Sequence, residues 1–352
     1  MTSSTLESRK RPVLFIGPQC DREQDAQIGN FRPYLRAKLK HKKTLEIGAS
    51  YQPMLPKREG FNSFSLDHGT RDELAEKYRS DPTVNVDNIE KVDFIWNDGD
   101  FSKCCGDARF DAVISSHVIE HAPDFVSFLN SCAAVLAENG EIAMIVPDKR
   151  YCFDFINPVS DPASVISDHC AGRSCHSFET FYRGSAAVRA DGQIAWTQAP
   201  LSELMFIGGD PRSVLRDAPE KANSSRYVDA HANYFTPVSF LMLVDELHYL
   251  GLLDIEVHLL TRSRGAEFLV EMRKAEPDRR TFEEFAADKR KNVYASLAEQ
   301  REWIDFVLPP GNHEEAQLSL AMASRELSEL KRSRLLKIGR VLWRIAGRPV
   351  PY

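Results

Sequence analysis

No stretch of the chain offers the roughly 18–20 consecutive apolar residues that a membrane-spanning helix requires, so none is expected to cross a bilayer. Cysteine is sparse: seven among 352 residues, with Cys104 and Cys105 adjacent, in no disulfide-framework spacing. The N-terminal MTSSTLESRKRPVLF lacks the apolar segment of a secretory signal, and with the cysteines this points to a reducing cytoplasm. Charge of one sign is missing too. Lys and Arg number 45 against 51 Asp and Glu, a net charge of −6, which excludes a global basic field for nucleic acid. Repeats and low-complexity tracts are absent. The remaining composition, 43% hydrophobic and 27% charged, suits one core of about 150–250 residues with appendages.

What is present is a rhythm. From residue 44, apolar runs of strand length (TLEIG, NSFSLD, VDFIWND, DAVISS, EIAMIVP) alternate with helical patterns. The helical patterns are RDELAEKYRS and APDFVSFLNSCAAVLAENG, the second reading as far as Asn139 and Gly140. This alternation predicts a parallel sheet up to about residue 147. Residues 1–40 read as a lead-in, with a short strand at VLFIG and a helix at FRPYLRAKLK laid across the core. A domain spanning 41–276 is expected, interrupted by a substrate-side insertion at 151–228 that shows no steady period. After it come a helix at TPVSFLMLVDELHYLGL and strands at LDIEVHLLT and AEFLVEMRK. Residues 277–352 read as a helical extension broken at PPGNH.

The turn LEIGASYQP lies where open α/β sheets bind ligands, beyond the end of the first strand. Glu46 closes the strand, Gly48 permits close backbone approach, and Ala49 and Ser50 keep the turn small. The dinucleotide fingerprint G-x-G-x-x-G fails, since Ser50 and Pro53 fill the later glycine positions. His117 and His121 stand four apart, as a metal pair on one helix face would, and DHCAGRSCH gathers His169, Cys170, Cys175 and His176. Neither group matches a standard ligand set, so no metal site is expected.

The stretch EIGASYQP resembles the glycine-rich first motif of class I S-adenosylmethionine-dependent methyltransferases, E/D-x-G-x-G-x-G, in a looser form with Ser50 and Gln52 at the later glycines. SLDHG, WNDGDF, FDAVISSHVIEHAPD, ENGEIAMIVPDKRYCFD and HANYFTPVSFLMLVDELHYLGLLDIEV resemble further family segments, so the likeness covers 41–273 apart from the insertion. It implies an α/β, Rossmann-like fold: a mostly parallel seven-stranded sheet with helices on both faces, an insertion after the fifth strand and a helical C-terminal extension. It implies S-adenosylmethionine as cofactor. Glu46 would reach the methionine amine, with Gly48, Ala49 and Ser50 lining the amino-acid end. Asp67 would accept the ribose hydroxyls with His68 beside it, and Asp100, or alternatively Asp98, would meet the adenine near Phe101. Ser116 and His117 would lie under the cofactor.

A finer resemblance, carried by SYQPMLPKREG, VPDKRYCFD and YVDAHANYFTPVSF, is to a bacterial subgroup associated with surface polysaccharide biosynthesis. It implies a sugar, or its nucleotide- or lipid-linked precursor, as acceptor. PDKRY places Asp148, Lys149, Arg150 and Tyr151 at the crevice mouth, where Lys149 or Arg150 could pair an anionic acceptor and Asp148 or Tyr151 touch its hydroxyl. An oxygen acceptor of high pKa benefits from a general base, for which His117, His231 and Asp148 are candidates. From 331 to 348 there are seven Lys or Arg and no acid, interleaved with Leu335, Ile338, Leu342 and Ile345. That pattern suggests contact with the inner face of the cell membrane. Two rival readings are a catalytically silent module of the same fold, motivated by Ser50 and Gln52, and a methyltransferase acting on a lipid or small metabolite.

Overall fold

A computed structural model describes residues 13–14, 28–96, 99–197, 204–224, 227–307 and 322. Its strands in chain order are β1 (Val13–Leu14), β2 (Thr44–Ile47), β3 (Ser63–Asp67), β4 (Phe94–Ile95), β5 (Phe110–Ser116), β6 (Leu136–Pro147), β7 (Val188–Ala190), β8 (Leu204–Phe206), β9 (Ile255–Leu260) and β10 (Glu267–Lys274). The main sheet runs β1-β9-β10-β6-β5-β2-β3-β4. All its pairings are parallel except the two made by β10, with β6 and with β9. The Rossmann-like sheet expected from the sequence is therefore present, its seven strands joined at one edge by the two-residue β1.

Burial explains why the central strands read as unbroken apolar runs. The pleat sends Val113, Met144, Val146 and Val270 to one face and Ala112, Ile114, Ala143, Ile145 and Leu269 to the other, and both faces are covered. Helix α1 (Phe31–Lys38) starts at Asn30, whose side chain accepts the Arg32 N–H at 3.2 Å. Phe31, Leu35 and Leu39, four apart on one stripe, are buried against the second face. Each such side chain contributes about 2 kcal/mol by leaving water.

The first face is covered by α2 (Phe125–Ala134), capped by Asp124, and α3 (Pro237–Tyr249), opened by Thr236 in a capping box with Ser239 and by Pro237 in the first turn. The helix read through to Asn139 stops at Ala134, because Leu136 is already paired with Phe110 of β5. Among the described residues strand β4 is shorter than VDFIWND suggested: Phe94 and Ile95 pair with β3, flanked by the Asp93 N–H on Ser65 C=O at 3.0 Å and the Trp96 N–H on Asp67 C=O at 2.9 Å.

The insertion after β6 is ordered where it is described. It contains helices Pro162–Cys170, Phe178–Arg183 and Pro211–Ala222 and the antiparallel pair β7–β8. Helix α4 (Phe282–Val307) begins by stacking Phe285 on Tyr249 of α3, ring centroids 4.0 Å apart. Arg280 meets Asp245 at 2.8 Å and Lys289 meets Glu246 at 2.8 Å. The chain divides into two units, Met1–Arg301 and Glu302–Tyr352. The first takes in α1 and α4 as far as Arg301. The basic stretch 331–348 lies outside the described residues. Among the described residues no helix is long and apolar enough to cross a membrane.

Candidate active site

The turn after β2 depends on its glycine. Gly48 has φ +67°, and a Cβ there would lie 2.8 Å from Val118 Cγ2, so both conformation and space select glycine. Ser50 also adopts a left-handed backbone, φ +45°, with its hydroxyl oxygen buried and without a hydrogen-bond partner. Its N–H donates to Asp67 Oδ2 at 3.2 Å, tying the turn to the end of β3. Asp67 Oδ1 accepts the His68 N–H at 2.8 Å and lies 2.7 Å from His68 Nδ1. Glu46, Gly48, Ala49, Ser50, Asp67 and His68 are thus brought together, and a cleft of about 340 Å³, open solvent included, is bounded by Glu46, Ala49, Ser50, Asp67 and Leu74.

Glu46 is 4% exposed and accepts the N–H groups of Met54 at 2.6 Å and Leu55 at 3.1 Å. Burial pushes its carboxyl up to about 7, against the opposing pull of those two donors. Both oxygens are committed to the loop, so what Glu46 gives the crevice is a fixed 48–55 backbone rather than an open carboxylate. Asp100 is exposed, with Oδ1 accepting the Ser102 N–H and the Ser131 hydroxyl, each at 2.9 Å. Phe101, expected on the cofactor, is fully buried edge-on to Trp96 at 5.3 Å and Phe128 at 5.7 Å, so its ring supports the crevice from within the core. Asp98 lies outside the described residues.

At the end of β5 the chain turns through His117, φ +56°, a left-handed conformation that histidine tolerates better than most residues. Its N–H donates to Ile145 C=O at 3.0 Å and its Nε2 lies 2.9 Å from Glu267 Oε2. Glu267 is the first residue of β10, opposite Pro147. Arg32 of α1 closes the group: one guanidinium nitrogen meets Glu267 Oε1 at 2.7 Å, and the other donates to Ser116 Oγ at 3.0 Å. Burial pulls the His117 pKa down, but the hydrogen bond it donates to Glu267 and the charges of Glu120 and Glu267 outweigh it, and the net shift is upward. Burial likewise opposes the net fall at Glu267, which His117 and Arg32 bring about.

Below His117 is a second polar group. Glu120 lies 3.7 Å from His117 Nδ1 and 3.8 Å from His121 Nε2. His121 Nδ1 stands 2.8 Å from Asp229, and His231 Nδ1 2.5 Å from Asp154. The His121 and His231 rings meet edge to face at 4.4 Å. The backbone N–H groups of Ala232 and Asn233 donate to Glu120 C=O at 2.8 and 3.0 Å, which fixes the segment carrying His231 against this turn.

The PDKRY segment differs from its expected solvated mouth. Asp148 is fully buried and paired with Arg150, whose Nε and Nη2 reach it at 2.9 and 2.5 Å, while the Ser263 hydroxyl also donates to it. With all its acceptor capacity taken, Asp148 is a structural partner and no base. Lys149 is buried too, its Nζ donating to Phe155 C=O at 2.7 Å, and burial lowers its pKa. The Arg150 guanidinium lies over the Tyr151 ring at 5.3 Å and also meets Glu299 at 3.3 Å. These cations are spent inside the protein. His169 turns to Asp124 at 3.0 Å and His176 to Tyr227 at 3.3 Å, so the DHCAGRSCH residues do not gather around one point. Sequence reasoning missed Arg32, Glu267, Asp154 and Asp229, which act from remote segments. An acid opening the strand EFLVEMRK was the only local signal among them.

Residues 66–144 match a family model described as a methyltransferase domain. No curated protein matches the chain. Among solved structures, the CcbJ methyltransferase from Streptomyces caelestis is 12% identical with a TM-score of 0.37, covering 68% of this chain and 86% of that one. The PH0226 protein from Pyrococcus horikoshii is 16% identical with a TM-score of 0.36, covering 72% and 92%. A glycopeptide N-methyltransferase, MtfA, complexed with sinefungin is 13% identical with a TM-score of 0.34, covering 69% and 92%. At these identities and scores the likeness says nothing of substrate.

Proposed function

We propose that the chain is an S-adenosylmethionine-dependent methyltransferase that acts on an oxygen of a sugar, in a surface glycan or its nucleotide- or lipid-linked precursor. One observation carries the reading: the left-handed turn at Gly48 and Ser50, the ribose-type acid Asp67 and a carboxylate-oriented histidine all converge beyond the ends of β2, β3 and β5. The methyltransferase family match over 66–144 runs from the end of β3 through most of β6 and supports it. The sugar rests on the sequence resemblance. Lys149 and Arg150 are committed internally and so offer no charge to an anionic acceptor.

The residues fit the cofactor. Gly48 and Ser50 give its amino-acid end a close backbone, and Asp67 Oδ2 retains a lone pair for a ribose hydroxyl beside the one taken by Ser50, while Oδ1 faces His68. When bound, the cofactor supplies an electrophilic methyl group on a sulfonium that leaves as a neutral thioether. The protein's part is chiefly alignment. With Nε2 directed at Glu267, His117 presents Nδ1 as the atom that takes the acceptor hydroxyl proton while the new C–O bond forms. His231, oriented by Asp154, is a second histidine of the same design. The basic stretch 331–348 would bring the enzyme to the membrane face where lipid-linked acceptors lie. Deleting 331–352 should release the protein from anionic vesicles, and unchanged binding would remove this part of the reading.

The test is calorimetric titration with S-adenosylmethionine and S-adenosylhomocysteine, using wild-type protein and Asp67→Ala. Micromolar binding lost in the variant supports the site and opens a screen of sugar, lipid and small-metabolite acceptors. No binding to wild-type protein moves the reading to a silent module of the same fold.

A further inference from the structure

Glu120 is 1% exposed, and neither of its carboxylate oxygens has a hydrogen-bond partner. A buried carboxylate left so is costly, and the usual compensations are a donor, an ion pair in contact or a metal. Its nearest ring nitrogens, His117 Nδ1 at 3.7 Å and His121 Nε2 at 3.8 Å, are beyond hydrogen-bond reach. They are close to the roughly 3–3.5 Å that separates two ligand atoms each about 2 Å from one cation. A ring nitrogen of His231 completes a set of three, and the ligand atoms of Glu120, His121 and His231 all lie within 4.8 Å of one another. Contraction by about 1 Å around an ion of ordinary bond length would close the set.

The surroundings are those of ligands and not of a loose polar cluster. His121 Nδ1 faces Asp229 at 2.8 Å and His231 Nδ1 faces Asp154 at 2.5 Å. The hydrogen bond to Asp154 fixes the His231 tautomer and leaves its other nitrogen free for a metal, while at His121 the Asp229 charge stands beside Nδ1 and leaves Nε2 toward Glu120. The three ligands are held from two sides of the fold, Glu120 and His121 by the turn after β5 and His231 by the strap hydrogen-bonded to Glu120 C=O. The other potential cluster among the described residues, Glu141, His258 and Glu271, already has Lys38 bound to both of its glutamates at 2.7 Å.

We infer that Glu120, His121 and His231 form a binding site for one first-row divalent cation, which holds an acceptor oxygen at an open position beside His117. Two imidazoles and one carboxylate favour manganese, iron(II), cobalt or zinc over magnesium or calcium. Three protein ligands leave positions for an acceptor hydroxyl, and coordination makes that hydroxyl easier to deprotonate. His231 is then a ligand, and the proton goes to His117 alone. The acceptor half of this inference rests on the methyl-transfer reading, whereas ion binding does not. The sequence hid the site because its third ligand, His231, stands 110 positions beyond His121.

The experiment uses chelator-stripped full-length protein, titrated with Co²⁺ by calorimetry and visible absorption, with Glu120→Gln and His231→Ala alongside. The expected result is one equivalent bound with a ligand-field band of nitrogen and oxygen coordination, and affinity at least 100-fold weaker in both variants. S-adenosylhomocysteine binding by the variants reports that they are folded. Should they not fold, a rise in the wild-type melting temperature on adding Co²⁺, reversed by chelator, carries the test. Absence of Co²⁺ binding by wild-type protein, or wild-type affinity retained in both variants, overturns the site and leaves the cluster as a proton-sharing network. Cobalt binding without S-adenosylhomocysteine binding would sustain the ion site and remove the methyl-transfer reading, and the reverse would do the opposite.

Discussion

Replacing Glu46 by Gln tests the loop that holds the candidate cofactor turn. The Glu46 carboxyl stands at 4.5 in the unfolded chain and near 7 in the folded protein. Between those values the folded state keeps a proton that the unfolded state has released. The free energy of unfolding therefore falls as pH rises through this window, by about 1.4 kcal/mol per unit. Over the whole window the wild type loses about 3 kcal/mol on this group's account, and neither lower nor higher pH adds to it. Glutamine keeps one carbonyl acceptor for one of the two N–H groups, Met54 or Leu55, and turns an amide NH₂ toward the other. That mismatch costs about 1–3 kcal/mol at every pH. The assay is urea unfolding of both proteins between pH 4 and pH 8. Glu46→Gln should be the less stable at the acid end, and the difference should move in its favour by about 3 kcal/mol toward the alkaline end, reaching zero or changing sign, since every other titrating group cancels in the difference. A difference that stays flat across the range refutes the buried, proton-retaining Glu46.

Three further outcomes are expected from the same geometry. Gly48→Ala should lose about 2 kcal/mol in chemical denaturation, from the left-handed backbone and the contact with Val118, and adding Val118→Ala should recover the steric part; full recovery would show that the backbone carries no strain. Arg150→Met leaves Asp148 charged and buried, with an expected loss of about 3–5 kcal/mol that Asp148→Asn in the same protein reduces; equal losses would break the pairing argument. The His117–Glu267 pair contributes stability that is complete below pH 6.5 and disappears as pH rises through the raised folded value of His117. Glu267→Gln should weaken that pH dependence, leaving the part due to Glu120, and move the acid limb of the pH–rate profile to lower pH; an unmoved limb would separate Glu267 from the base.

The parts legible in the sequence were those where local pattern and tertiary demand agree. DAVISS and EIAMIVP are apolar throughout because both faces of β5 and β6 are covered, and TPVSF shows its helix start in Thr236 and Pro237. Local pattern misled at APDFVSFLNSCAAVLAENG, where helical spacing continues past Ala134 but Leu136 is captured by Phe110 across the sheet. It was silent in the insertion, whose order comes from packing such as Val188, Ala190 and Trp196 against Tyr151 and Phe155. Charge was the poorest guide. Lys149 and Arg150 look solvated beside a strand end, yet a buried aspartate and a backbone carbonyl claim them. His117 and His121 stood out in the sequence, but Arg32, Asp154, Asp229 and Glu267, which meet the histidines of this site or their partners, arrive from segments that no spacing rule connects.

Strand β10 runs against its neighbours, so its first residue stands where theirs end. The parallel strands reach the crevice at their C-terminal ends, with Asp67 of β3 and Ser116 of β5, whereas β10 reaches it at its N-terminal end, with Glu267 inside the hydrogen-bonded ladder. The position of that carboxylate is consequently set by the pairing from Glu267–Pro147 to Arg273–Glu141 and not by the conformation of a loop. The arrangement is rigid but brittle: a slip of one residue against β6 would exchange Glu267 for Phe268, presenting a phenyl ring to His117 and driving an acid toward the core. Sequence drift in such a protein should spare the spacing within β10 more strictly than the residues composing it.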